Sequence, residues 1–378
     1  MPLSTSNPIQ EVLALGIPQV REFDAELISH FLLTDAATFN TVPGLSNVRY
    51  LNLPEKAPQY PYLLYGLLSI SALHLRLVAG ESNADSTRSL HLVERARTHQ
   101  QLALSAYIAR LGNINSETCQ SIFTFSVILA GLGFGFLSSV DSPDILDADV
   151  YVGRIVNIFE LLRGAVAVAD EARTWIVEGE SARRKNQWGV TALSEAAREQ
   201  CDMHTALQEL QVGLESALVA EYKRTENPFP EDILGSCTSS LPELSEVLCQ
   251  VRHKLFGVDI LRAVLTWPGV VPKTYVALLR KGHPAALVVV AYYGVALHAL
   301  GGAWWLRGAG FRLVRSVTDI VTKRHGQDWQ DLLQWPLSMV EDLRSVPPVS
   351  SQAPEGRLVP ELETTFDIAL RGTFYARL

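Results

Sequence analysis

Residues 283–306 read HPAALVVVAYYGVALHALGGAWWL, twenty-four positions without a formal charge. A helix made from such a stretch has no polar face, so either other helices or lipid must surround it. Pro284 suits a first helical turn and Gly301-Gly302 an exit. That leaves about 17 residues, roughly 25 Å of helix against a hydrocarbon core of about 30 Å. Both flanks are basic: Arg280 and Lys281 precede the stretch, and Arg307, Arg312 and Arg315 follow it. No positive-inside asymmetry orients it in a bilayer. The next segment, Gly310 to His325, alternates as an ordinary amphipathic helix. Leu313, Val314, Val317, Ile320 and Val321 fall on one face, and Arg312, Arg315, Asp319 and Lys323 on the other. We read 284–300 as the buried central helix of a helical protein and expect no membrane span.

Working outward, the 378 residues are 48% hydrophobic and 19% charged, an apolar balance that requires a large interior. A globule of this length buries about 75% of its unfolded surface. The net charge is -8, and the densest basic run is Arg183-Arg184-Lys185 beside Glu178 and Glu180. Nonspecific nucleic-acid affinity comes from neutralising phosphates with basic side chains, so no direct nucleic-acid binding is expected. The cysteines, at 119, 201, 237 and 249, have neither zinc-ligand spacing nor the density of a disulfide framework. They read as reduced thiols in an intracellular protein. The start, MPLSTSNPIQEVLALGIP, lacks the basic and apolar regions of a signal peptide.

Helical spacing recurs along the chain and strand signals are scarce, which makes the fold class all-α with fully apolar central helices. Pro61 to Leu75 and Ser121 to Leu137 are apolar all round, like Pro284 to Leu300. Val93, Ala96, Gln100, Leu104, Tyr107, Ile108 and Leu111 predict one helix face; Ile155, Ile158, Phe159, Leu162 and Val166 predict another. Ser240 and Glu243 have capping-box spacing before a helix carrying Leu244, Leu248, Val251 and Leu255, and Trp267-Pro268-Gly269 reads as the end of that region. Residues 225–240 read as a polar connection between two helical halves. Residues 1–20 form a short leading segment, 21–345 the helical domain, and 346–378 a linker with a last helix, Leu362 to Ala376.

The chain lacks the motifs HExxH and G-x-S-x-G, a P-loop and a cysteine-nucleophile context. The glycines of GLGFGF (131–136) lie inside an apolar helical run and predict close helix packing. DSPDILDAD (141–149) is interrupted by Pro143 and reads as a loop that caps the helix at 150. No metal and no cofactor are expected, and no catalytic residue is assigned. His298 shares a face with Leu287, Ala291, Gly294, Gly301 and Trp305. It is either a neutral core histidine or a polar handle on a cavity wall, and His74 is read the same way. Tyr292, Tyr293, Trp304 and Trp305 flank positions kept small by glycine, as core packing or as the lining of an apolar ligand pocket.

Several blocks, taken together and in order, resemble the fungal-specific transcription factor domain. They are ELISHFLL (26–33), YPYLLYGLLSISALHL (60–75), HQQLALSAYIARLGNINSETCQSIFTFSVILA (99–130), IVNIFELLRGAV (155–166), HPAALVVVAYYGVALHAL with WWLRGAG, and WQDLLQWP (329–336). The closest likeness is to the effector domains of sterol uptake control proteins among the binuclear zinc cluster regulators. The resemblance implies a nuclear, all-α regulator, also compatible with the cytoplasm, that forms homodimers or heterodimers and wraps a lipid-like small molecule. DNA-binding members carry an N-terminal six-cysteine cluster, whereas the first cysteine here is Cys119. A partner with the cluster would then supply the DNA contact. The alternative is a cofactor-independent cyclase or isomerase, or a carrier, using the same cavity for a terpenoid or polyketide.

Overall fold

A computed structural model describes residues 24–34, 59–81, 86–139, 147–178, 201–225, 231–252 and 258–342, and all regular structure among them is helical. The α-helices in chain order are α1 Ala25–Leu33, α2 Pro61–Glu81, α3 Ser86–Leu111, α4 Cys119–Ser138 and α5 Ala148–Glu178. There follow α6 Asp202–Thr225, α7 Glu231–Thr238, α8 Leu241–Arg252, α9 Val258–Val270 and α10 Lys273–Arg280. Last come α11 Pro284–Ala299, a 3-10 turn Trp304–Leu306, α12 Ala309–Arg324, α13 Gln327–Asp331 and α14 Gln334–Asp342. The all-α expectation holds.

α11 is the helix predicted from the opening stretch, and every residue from Pro284 to Leu297 is buried. His283 caps it: the ring Nδ1 accepts from the Ala285 amide at 3.3 Å, and Pro284 occupies the first turn where no donor is needed. α12 crosses α11 where two glycines meet. A Cβ on Gly310 would sit 2.3 Å from both the Gly294 carbonyl and the His298 amide, so two backbones touch there.

By length and composition, Pro61–Ala79 in α2 and Cys119–Ser138 in α4 are each long and apolar enough to cross a membrane, yet 78% of each window is buried inside the protein. Glycine again permits the close approach. A Cβ on Gly66 of α2 would lie 2.9 Å from the Phe125 ring, and one on Gly133 of α4 would lie 2.8 Å from Ile158 of α5. Gly133 and Gly135 of GLGFGF, where a Cβ on the latter would lie 3.0 Å from Leu73, therefore pack helices, as expected. Amphipathic helices supply the outer layer. α5 buries Ile155, Ile158, Phe159 and Leu162, and α12 buries Leu313, Val314, Val317, Ile320 and Val321. Burying an aliphatic or aromatic side chain of this size contributes about 1.5–3 kcal/mol relative to leaving it exposed.

Four expectations need correction. The buried face of α3 runs Leu92, Ala96, His99, Ala103, Tyr107, while Ile108 is 64% exposed. The helix is rotated from the predicted face because His99 turns inward to a buried carboxylate. Ser240 precedes α8, but its hydroxyl is buried without a hydrogen-bond partner among the described residues, so no capping box forms. Trp267-Pro268 lies inside α9, which continues to Val270. Pro268 sits in the last turn, where losing one amide donor breaks little, and the Val271 amide still reaches the Trp267 carbonyl at 3.2 Å. The connection at 225–240 contains α7, which is tied to α10 by Ser236 Oγ donating to Thr274 Oγ1 at 2.8 Å. Residues 346–378, with the expected last helix, and 179–187 lie outside the described residues.

Candidate functional site

The six side chains singled out for an apolar pocket do not share one place. Tyr293 is fully buried, stacked on Trp267 at 4.8 Å with Phe159 edge-on at 5.3 Å. Its hydroxyl has no partner among the described residues, and burial pushes its pKa upward. Tyr292 points elsewhere: its ring stacks on Trp335 at 4.8 Å and its hydroxyl donates to the Leu332 carbonyl at 3.2 Å. Trp305 is buried beside Phe134 at 5.9 Å, and its carbonyl accepts from Ser138 Oγ at 2.8 Å. His298 is half-buried, 6.3 Å from the Phe311 ring. Neighbouring residues on a helix project about 100° apart, so an aromatic doublet divides between two surroundings.

Two of the six do meet. The His74 ring lies edge-to-face with Trp304 at 4.9 Å. The third member is His30 of α1, which the sequence reading did not single out. Its Nε2 is 2.8 Å from His74 Nδ1, and the rings stack with centroids 5.0 Å apart. A bond between two imidazole nitrogens requires one donor and one acceptor, so at least one ring is neutral. Burial lowers the pKa of His30, partly offset by the charge of Glu26. The cluster stands where α1, α2 and the 3-10 turn converge. Thr34 Oγ1 stands 3.5 Å from His30 Nδ1, so the two imidazoles are tied into the α1–α2 contact with an indole beside them.

α1 is held over this point by charges. Asp24 and His99, each 5% exposed, pair at 2.9 Å, and Tyr65 stacks on the His99 ring at 6.2 Å. Arg95 reaches Asp24 at 3.5 Å and Glu26 at 3.3 Å, and Arg88 reaches Glu26 at 2.6 Å. Burial and then the Asp24 charge raise the Tyr65 hydroxyl pKa. Nothing local in the sequence announces the Asp24–His99 pair, because its members are 75 residues apart.

Among the described residues no group of three or more His, Cys, Asp or Glu side chains gathers in a way that could hold a metal ion. All four thiols are buried and unbridged; burial pushes those of Cys237 and Cys249 up to about 12. Comparison with protein-family models, with curated proteins and with solved structures finds no match.

Proposed function

We propose that this chain is a ligand-responsive effector domain of a fungal transcription regulator, acting in the nucleus on a lipid or natural-product pathway. The observation that carries the reading is the His30–His74–Trp304 cluster at the edge of a strongly apolar helical core, beneath a short helix that charged groups hold in place. A lipid-like molecule bearing a hydroxyl or carbonyl group is the matching ligand, because two imidazoles and an indole stand together at the margin of apolar helices. In this reading α2 and α4 are core helices and do not span a membrane. A ligand shifts the balance between two seatings of α1 only through its differential affinity for them. The exposed surface that changes then meets a second copy or a zinc-cluster partner, which brings the DNA contact.

The test is native mass spectrometry, with organic extraction, of the protein purified from its host, paired with transcript profiling of a deletion strain. The reading expects a bound apolar molecule, its loss in His74→Ala, and reduced transcripts of a defined gene set. Unchanged transcripts with accumulation of one pathway intermediate would overturn the regulator in favour of an enzyme or carrier.

A further inference from the structure

A second place on the molecule has a chemistry of its own, independent of the lipid reading. Between α6, α11 and the α13–α14 corner lies an open cleft of about 560 Å³, lined by Glu209, Leu210, Tyr292, Asp331, Gln334 and Trp335 among others. The volume lies within the range of small-ligand sites. Both charged residues that line it are carboxylates; no lysine, arginine or histidine does so among the described residues. Asp331 Oδ1 is steadied by Gln327 Nε2 at 2.7 Å and Gln334 Nε2 at 3.3 Å. Glu209 is exposed and has no ion-pair or hydrogen-bond partner among the described residues. The aromatic part is rigid: Trp335 and Tyr292 stack at 4.8 Å and 13°, and Tyr292 is anchored to the Leu332 carbonyl. Burial first, and then the Glu209 charge, raises the Tyr292 hydroxyl pKa, which places that carboxylate within electrostatic reach of the ring.

We infer that this cleft binds an organic cation, a guanidinium or ammonium group on an apolar stem such as an arginine side chain. The half-buried Trp335 ring, backed by the buried Tyr292, attracts the charge, and the exposed Glu209 neutralises it. Asp331, whose Oδ1 is held by the Gln327 and Gln334 amides, adds a second carboxylate for a guanidinium fork.

The full chain labelled with 5-fluorotryptophan gives one fluorine resonance for each of seven tryptophans, and Trp335→Phe assigns the signal of Trp335. Titration with Nα-acetyl-arginine amide is expected to shift that signal saturably, while the neutral isostere Nα-acetyl-citrulline amide leaves it in place. Glu209→Gln is expected to weaken the apparent affinity about threefold, with an unchanged melting temperature, and added salt to weaken it similarly. Equal shifts with arginine and citrulline, no saturable shift, or indifference to Glu209→Gln would overturn the site. A tri-arginine peptide separates the two sources of the cation. Tighter binding than the single residue assigns a basic protein segment, and equal binding assigns a small molecule.

Discussion

Gly310 is the most tightly enclosed glycine among the described residues. The three atoms its Cβ would meet are backbone, at 2.3, 2.3 and 2.7 Å, whereas a Cβ on Gly294 would meet first a Val314 methyl at 2.8 Å. A methyl can rotate away and a peptide of α11 cannot. Gly310→Ala should therefore cost about 3 kcal/mol and Gly294→Ala about 1 kcal/mol, measured as shifts in urea midpoint. Comparable losses would show that the crossing yields as a unit. Titration supplies a second prediction at this scale. Burial lowers the pKa of His30, His283 and His325 from the ordinary 6.5. Above pH 6.5 these imidazoles are neutral folded or unfolded, and their shifts contribute nothing. As pH falls below it, the unfolded chain takes up protons that the folded chain refuses, so stability drops. The melting temperature should fall from about pH 6.5 to about pH 5.5, and His283→Asn, which keeps a capping oxygen, should flatten part of that slope. At this scale the sequence also misled for a physical reason. Tyr292-Tyr293 and Trp304-Trp305 look like pocket walls in a line of text, but adjacent helical or 3-10 positions diverge. Both tyrosines are buried but on opposite sides, Tyr293 on Trp267 and Tyr292 on Trp335, while Trp305 enters the core and Trp304 meets His74.

Elements were legible wherever periodicity or its absence was decisive. α11 was visible because it has no formally charged position, and α12 because it has polar positions every turn. α3 was placed but rotated, since a histidine reads as polar until its buried partner on another helix is known. That partner makes α1 the element to test. His99→Leu would leave the Asp24 carboxylate buried with Arg95 at 3.5 Å and is expected to cost about 2–3 kcal/mol. Adding Asp24→Leu should reduce the loss, because two apolar side chains carry no desolvation penalty. Hydrogen exchange of α1 in the two variants checks this, and faster exchange in the double than in the single would count against it. The α7 helix within 225–240 escaped prediction because a polar eight-residue helix has little periodicity to show. Its place is set by its contacts with α10.

For the whole molecule, the decision that mattered was how apolar helices are solvated. α2 and α4 pass a membrane test on composition, and their burial is supplied by each other, by α1 and α3 over α2, and by α5 and the 3-10 turn over α4. The chain should therefore elute as a single species in size exclusion without detergent. A void-volume aggregate dispersed only by detergent would favour lipid as the missing solvent. The candidate site belongs to this scale as well. His74 was legible as a polar residue in an apolar helix, whereas its meeting with His30 and Trp304 depends on how distant elements assemble.

Two long-range pins, Ser138 Oγ to the Trp305 carbonyl and Tyr151 Oη to the Ala309 carbonyl, join points 167 and 158 residues apart. On the ribosome, the flank of α4 that meets the 3-10 turn is therefore made long before its cover exists. At ordinary translation speeds the wait is roughly ten to thirty seconds. A nascent greasy surface of that age needs a chaperone, so output of this protein in a cell should track holdase supply as closely as it tracks the stability of the finished fold.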